Sequence, residues 1–500
     1  MAEDVLDLIV VGGGINGAGI AAEAQERGLN VGLFEARDFA GATSSASSKL
    51  IHGGLRYLEN YEFKMVAAAL AEREVLLRKA PHIARSMRFQ LPHKSQLRPF
   101  WLIRLGLFLY DSLAGRQLLE ASKSVQFTAE SGLKPHLIRG FEYSDGWVDD
   151  ARLVLLNVKH AQNLGAEVRN YCRVENVTQQ NQQWVITLTD QRTQQVFQRR
   201  CRALINATGP WAAQFLRQTL VQPKAESLRL VKGSHIVVPR LYQGEHAYLL
   251  QNSDKRVVFV IPYLESYALI GTTDVDFDGE PQNAAITSEE IAYLLNVVNS
   301  HFQTQTTPED IVWQYSGVRP LLADASASAQ STTRDYRLIR EIEGAPLLSV
   351  YGGKLTTYRK LAEEAITMLK SVFTRLAPSI SKQTVLPGGE GYDYFAMTTH
   401  LATKFAFIDE RTRRRYLQLY GADVNQLLNG VETLDDLGQC FAKGVYQREI
   451  DYLINEEFAF TVEDILWRRT KLGITLTKAE IATLSFYLQT SASSANGHKG

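Results

Sequence analysis

The residues best suited to chemistry open the chain. Gly12, Gly14 and Gly17, in Gly12-Gly13-Gly14-Ile15-Asn16-Gly17, stand at G-x-G-x-x-G spacing, which brings backbone N–H groups against a pyrophosphate. Without Cβ atoms, Gly12 can turn tightly, Gly14 can admit the phosphate and Gly17 can seat a helix on a strand. The N-terminus of that helix then points its free N–H groups at the anion. Glu35 is the acid expected to bind a ribose hydroxyl. The stretch Thr43-Ser44-Ser45-Ala46-Ser47-Ser48-Lys49 has the composition of a linker, yet it lies beside the presumed phosphate site and offers hydroxyls to a cofactor. His52-Gly53-Gly54 lets backbone pass close to a flat ring before Arg56 and Tyr57; an ordinary turn with a solvated arginine is the competing reading. Gly352-Gly353-Lys354-Leu355-Thr356-Thr357 starts a second helix, another place to hold an anionic or electron-rich group. His235, in Gly233-Ser234-His235, falls within a strand pattern, where a lone histidine is more often structural than catalytic.

These positions require particular elements. The glycine loop needs a strand over 6–11 and a helix over 18–27, closed by Gly28, with 31–34 as the next buried parallel strand. An apolar strand returns to that sheet and ends in Ala207-Thr208-Gly209. Helical spacing covers 64–80 and stops at Pro81. Asp149 and Asp150 open a further helix and read as caps rather than catalysts. Residues 183–189 alternate as a half-buried strand, and 230–238, 247–251, 257–261 and 267–271 form an antiparallel sheet carrying His235 and leading to Thr272 and Thr273. Thr287 and Glu290 have capping-box spacing. A strand over 311–315 leads to Arg319, Arg334 follows, and 347–351 is a buried strand before the second glycine turn. Beyond 387 the texture is helical and charge-rich, with helices expected over 410–420, 462–471 and 478–488.

Five hundred residues, 45% of them hydrophobic, suffice for two or three domains and a large core. Lys+Arg and Asp+Glu both total 54, so no global field attracts nucleic acid, and any anion site must be built locally. Cys172, Cys201 and Cys440 are too few and scattered for a disulfide framework or metal knuckle. The N-terminus enters the first strand without a signal-peptide pattern, and no run is apolar enough to span a bilayer. Basic residues from Arg85 to Arg98 flank the aromatic segment 99–110, which reads either as a helix in the headgroup region or as a buried helix capped by bases.

Together these motifs resemble the FAD-dependent glycerol-3-phosphate dehydrogenases of the bacterial respiratory type, in the D-amino-acid-oxidase-like flavoprotein superfamily. The resemblance rests on Asp7 to Gly19, Thr43 to Tyr57, Lys232-Gly233-Ser234-His235, Ile270 to Asp274, Ser316 to Pro320 and Gly352 to Arg359. It implies an α/β fold in which a Rossmann-like FAD-binding domain joins an antiparallel-sheet substrate domain and a C-terminal helical domain. The expected FAD-dependent oxidoreductase region is 1–387, with FAD-binding segments of about 1–80, 145–225 and 340–387 interleaved with substrate or cap segments of about 81–144 and 226–339. A C-terminal helical domain over 388–490 and a disordered tail over 491–500 complete it. The implied reaction oxidises sn-glycerol 3-phosphate to dihydroxyacetone phosphate, FAD taking the hydride and membrane quinone the electrons.

The implied FAD contacts are Gly12, Gly14, Asn16, Gly17 and Glu35; then Thr43, Ser44, Ser45, Ser47, Lys49, Leu50, His52, Gly53 and Gly54. Ala207, Thr208, Gly209, Gly353, Lys354, Leu355 and Thr356 complete that set. Arg56, Tyr57, Thr272, Arg319 and Arg334 are expected on the substrate, since arginine's planar fork suits phosphate oxygens. Hydride transfer requires a base for the C2 hydroxyl; His235 is the first choice, with Lys354 orienting the hydroxyl or acting as base if desolvated, and Arg319 completes the catalytic set. No metal is implied. The resemblance favours the segment Arg85 to Arg116 as a docking surface for an anionic membrane and places the chain peripherally on the cytoplasmic face of a bacterial inner membrane, leaving a homodimer open. The rival readings are an oxygen-using glycerol-3-phosphate oxidase, an amine or amino-acid oxidase, and a flavin-binding docking protein without turnover.

Overall fold

The computed structural model describes residues 5–55, 62–94, 96, 99–113, 118–220, 226–252, 254, 256–322, 335–341 and 343–496, with side chains as far as residue 490. Among the described residues an eight-stranded sheet carries the glycine loop, in the order Arg337–Glu341, Leu347–Tyr351, Val196–Asn206, Leu6–Val11, Val31–Phe34, Glu167–Arg169. The hairpin Cys172–Gln180 and Gln183–Asp190 attaches to Val196–Asn206. The central strands pair in parallel, and Leu8, Ile9 and Val10 are fully buried, as unalternating apolar runs demand when both faces are covered. Each such side chain contributes about 1.5–3 kcal/mol by leaving water. Helix α1 (Ile15–Glu26) packs on this sheet, and Gly28, at φ +87°, ends its last turn in the left-handed region.

Three more helices matter to the site: α2 (Phe63–Lys79), α3 (Phe100–Ser112) and α4 (Asp150–Asn163). They bridge to a second sheet, ten-stranded among the described residues. At its heart Leu228–Pro239 lies between Tyr267–Gly271 and Trp313–Leu322, pairing antiparallel with both. Ala247–Gln251 and Tyr267–Gly271 occupy the spans expected for them as strands of this sheet. Ala84–Pro92 and Arg139–Val148 join the same sheet, whose pairing is antiparallel but for one short parallel contact, Ala247 and Tyr248 against Phe89 and Gln90. No local pattern signals that contact, because its partners come from distant segments.

A separate apolar core runs from Leu401 to Leu488 under the C-terminal helices. Glu410–Tyr420 is the helix its pattern indicates, and the helix expected over 462–471 runs over 462–469 with its Asp464–Arg469 part wound as a wider π-helix, Thr470 N–H donating to Ile465 O at 3.0 Å. The wider turn has a partner to explain it: the consecutive Arg468 and Arg469 both pair with Asp38, just beyond Glu35. Arg152 pairs with Glu457, and Lys471 Nζ lies 3.2 Å from Asp149, so this unit is tied to α4 as well. Removing one partner of such buried pairs costs about 3–5 kcal/mol, since the other charge stays buried. The last helix, Lys478–Asn496, extends into the stretch expected as a tail; residues 497–500 lie outside the described residues.

Candidate active site

The glycine turn is built by exclusion. Gly12 sits at φ +110°, and a Cβ there would lie 2.5 Å from Ala207 O; a Cβ at Gly17 would lie 1.8 Å from Gly12 O. The N-terminus of α1 at Gly14 has no side-chain cap, although Ile15 N–H donates to Ser44 Oγ at 3.0 Å. Glu35 ends its strand with Oε2 accepting from Gly13 N at 2.6 Å and Oε1 from Arg37 N at 2.8 Å. Burial raises its pKa against those two donors, and the carboxylate keeps lone pairs for a ribose hydroxyl. Asn16 Nδ2 donates to Gly352 O at 3.0 Å, joining the two glycine turns, while its buried Oδ1 has no partner among the described residues. Thr208 Oγ1 donates to Asn206 Oδ1 at 2.7 Å, which fixes the Ala207-Thr208-Gly209 turn behind Gly12.

Beyond this phosphate end lies a cavity of about 320 Å³. The loop after the second strand contributes Thr43, Ser44, Ser47, Leu50, His52 and Gly54 to its wall. The second sheet contributes Thr272 and Arg319, and the second glycine turn Gly353, Lys354, Leu355 and Thr356. Four chain segments that sequence separates widely therefore line one cavity. Arg319 pairs through Nη1 with Asp274, and its Nη2 lies 3.3 Å from Thr272 Oγ1. Lys354 Nζ donates to Met65 Sδ at 3.1 Å. Arg56, Tyr57 and Arg334 lie outside the described residues.

Several expected contacts are placed differently. Lys49 is fully buried, its Nζ 2.6 Å from Asp150 Oδ1, and Asp150 Oδ2 accepts from Ser47 N and Oγ at 3.0 and 2.7 Å. Lys49 thus braces the cofactor loop from behind. Asp149 caps α4, accepting from Arg152 N at 3.1 Å, and Asp150 Oδ1 accepts from Ala151 N at 2.9 Å while also serving as that brace's counter-charge. Ser45 Oγ turns back to Ala42 O at 3.3 Å. Gly53 N–H donates to Tyr110 Oη at 2.8 Å, and Tyr110 in turn donates to the buried Asp145, which burial raises to about 6 despite the Arg73 guanidinium beside it. Helix α3 is keyed to the cofactor loop through this bond. His235, the first-choice base, is only 1% exposed and does not line the cavity; Ser48 stands between, its Oγ 2.8 Å from His235 Nε2.

Ser48, in the hydroxyl-rich stretch offered to a cofactor, lines the cavity wall, and sequence reading missed Arg256 and Asp274 there. Arg256 stacks over Tyr293 at 3.8 Å and pairs with Asp254 at 2.7 Å, in a stretch with no motif to announce it. Asp274 did carry a signal, since Thr272-Thr273-Asp274 sits at a strand end where a charge needs a partner.

The residues present fit a dinucleotide with a planar ring: a turn that leaves no room for a Cβ where a pyrophosphate would lie, a carboxylate for the ribose, a buried Asn16 Oδ1 without a partner among the described residues, and an adjoining cavity. The chain matches the FAD dependent oxidoreductase family over residues 7–359 and the C-terminal domain of alpha-glycerophosphate oxidase over residues 379–493. It is 51% identical over 486 residues to the aerobic glycerol-3-phosphate dehydrogenase of Escherichia coli, covering 96% of this chain and 97% of that one. D-erythritol 1-phosphate dehydrogenase of Brucella abortus is 44% identical over 489 residues, covering 96% and 97%. The solved glycerol-3-phosphate dehydrogenase from Bacillus halodurans, complexed with FAD, aligns at TM-score 0.75 and 27% identity over 98% of this chain and 95% of that one.

Proposed function

The chain belongs to the FAD-dependent oxidoreductases, in their glycerol-3-phosphate dehydrogenase branch, and from that premise we propose that it oxidises sn-glycerol 3-phosphate to dihydroxyacetone phosphate and passes the electrons to membrane quinone. The observation that carries this reading is the convergence of Arg319, Arg256, Lys354 and His52 on one cavity in a chain of zero net charge. FAD, when bound, supplies the hydride acceptor. Arg319 and Arg256 hold the phosphate dianion, arginine offering paired donors to its oxygens. Thr272 and Lys354 orient the polyol. His52 faces the cavity and takes the hydroxyl proton, because a neutral imidazole can accept one without first losing its own charge. Anaerobic mixing with sn-glycerol 3-phosphate should bleach the flavin absorbance, D-erythritol 1-phosphate should bleach it more slowly, and a quinone analogue should restore it faster than oxygen does. Persistent colour with the first compound overturns the substrate assignment.

The acceptor reading is supported by α3. Trp101, Leu102, Leu105, Phe108 and Leu109 are exposed, Trp101 by 67% and Phe108 by 58%, while Ile103, Leu107 and Tyr110 face the core. An outward apolar stripe of this kind suits insertion at the headgroup boundary, and no described helix is long and apolar enough to cross a membrane. The double variant Trp101→Glu/Phe108→Glu should lose sedimentation with anionic vesicles while keeping FAD and reduction by substrate in solution. Unchanged sedimentation would remove α3 from the docking surface.

A further inference from the structure

His235 is held on every side. Its ring stacks on Tyr315 at 4.8 Å and 19°, and Tyr315 Oη donates to Ser47 O at 2.8 Å. Opposite, a Cβ on Gly271 would lie 2.1 Å from His235 Cδ2, so bare backbone closes against the imidazole edge. Nε2 faces Ser48 Oγ at 2.8 Å, and the buried Nδ1 has no partner among the described residues.

A neutral imidazole has one N–H to place. On Nδ1 that donor would be orphaned in the interior, and genuinely orphaned buried N–H groups are rare. On Nε2 it is satisfied by Ser48 Oγ. Burial and the nearby charges of Arg319 and Lys49 hold the imidazole pKa well below its ordinary value, so the doubly protonated ring does not compete. Once Ser48 Oγ accepts from the ring, its own O–H must donate elsewhere, and Ser48 lines the cavity.

We propose that His235 is a positioning residue: it donates from Nε2 to Ser48 Oγ and so turns the Ser48 hydroxyl proton into the cavity, where it donates a hydrogen bond to the flavin of bound FAD. This rests on assigning the cavity to the flavin ring. The contact moves neither proton nor electron. A donor fixed in place favours the more electron-rich reduced flavin, so it raises the reduction potential.

The test uses the full-length, FAD-loaded chain without substrate and reads the flavin midpoint potential by dye equilibration, with 15N NMR of labelled histidine for the tautomer. Ser48→Ala should bind FAD and shift the potential to more negative values, while Ser48→Thr, which retains a hydroxyl, stays near wild type. His235→Phe keeps a ring against Tyr315 but offers no N–H, and should shift the potential by the same amount as Ser48→Ala. The double variant should shift it no further, the non-additivity of two residues acting as one unit. His235→Gln, with an amide N–H near the position of Nε2, should recover part of the shift. A wild-type potential in Ser48→Ala overturns the proposal, as do additive shifts in the double variant or a proton found on Nδ1. A raised KM with unchanged potential also overturns it, placing the donor on the substrate instead. If His235→Phe fails to fold, the two Ser48 variants and the NMR measurement still decide. Failure of the wild-type chain to take up FAD would instead sink the flavoprotein reading itself.

Discussion

Gly17→Ala should yield a folded, colourless protein. A Cβ at that position would sit 1.8 Å from Gly12 O, and the atom it meets is backbone that cannot rotate away. The Gly12 carbonyl must move, and with it the turn that Ala207 O already confines from the other side. Helix propensity alone would predict the opposite outcome, because replacing a helical glycine by alanine gains about 0.8–1 kcal/mol. The two effects act on different observables. Apo-protein thermal stability should change little, whereas FAD affinity should fall by at least about 100-fold, roughly 2.7 kcal/mol. Gly106→Ala is the control: Gly106 also lies in a helix, α3, but a Cβ there meets nothing within 4 Å. It should remain yellow with unchanged affinity. Fluorescence titration of stripped protein with FAD measures both, and wild-type affinity in Gly17→Ala would show that this turn does not hold the pyrophosphate.

The same contrast explains what was readable beforehand. Gly12, Gly14 and Gly17 announce themselves because their constraint is local: a strand must end and a helix begin within a few residues. The strand Gln183–Asp190 announces itself through the alternation of Trp184, Ile186 and Leu188, which needs no knowledge of the partner strand. Lys49 was different. Whether Lys49 contacts a cofactor or a buried carboxylate depends on Asp150, 101 residues away, and nothing in the cofactor loop encodes that pairing. The facing of His235 is likewise set by register against Gly271 and Tyr315, so its residue type suggested a base while its neighbours made it a prop for Ser48. The π-turn at Asp464–Arg469 escaped for a related reason, since both its arginines answer to Asp38 more than 400 positions earlier. Local rules therefore brought the glycine turn and its loop to the cavity, and long-range pairing decided which of their residues line it.

Arg319→Leu should lower kcat/KM for sn-glycerol 3-phosphate by about 1,000-fold, near 4 kcal/mol, with FAD still bound. Two losses combine. The phosphate loses a planar donor, and Asp274, which Arg319 now neutralises, becomes a negative charge facing a dianion. Room for this guanidinium is made by Gly233, where a Cβ would lie 2.6 Å from Arg319 Nη2, and Gly233 lines the same cavity. Arg319→Lys keeps the charge but not the fork and should lose about 10- to 100-fold. If the exposed Asp274 accounts for part of the defect, Arg319→Leu/Asp274→Asn should regain about tenfold over Arg319→Leu alone, roughly 1.4 kcal/mol. Stopped-flow bleaching against substrate concentration separates the terms: loss of phosphate affinity raises the half-saturating concentration, whereas misplacement of the polyol lowers the limiting rate. A variant that bleaches at the wild-type rate and half-saturation would mean that the phosphate is held elsewhere, and Arg256, on the same wall, would be the next guanidinium to remove.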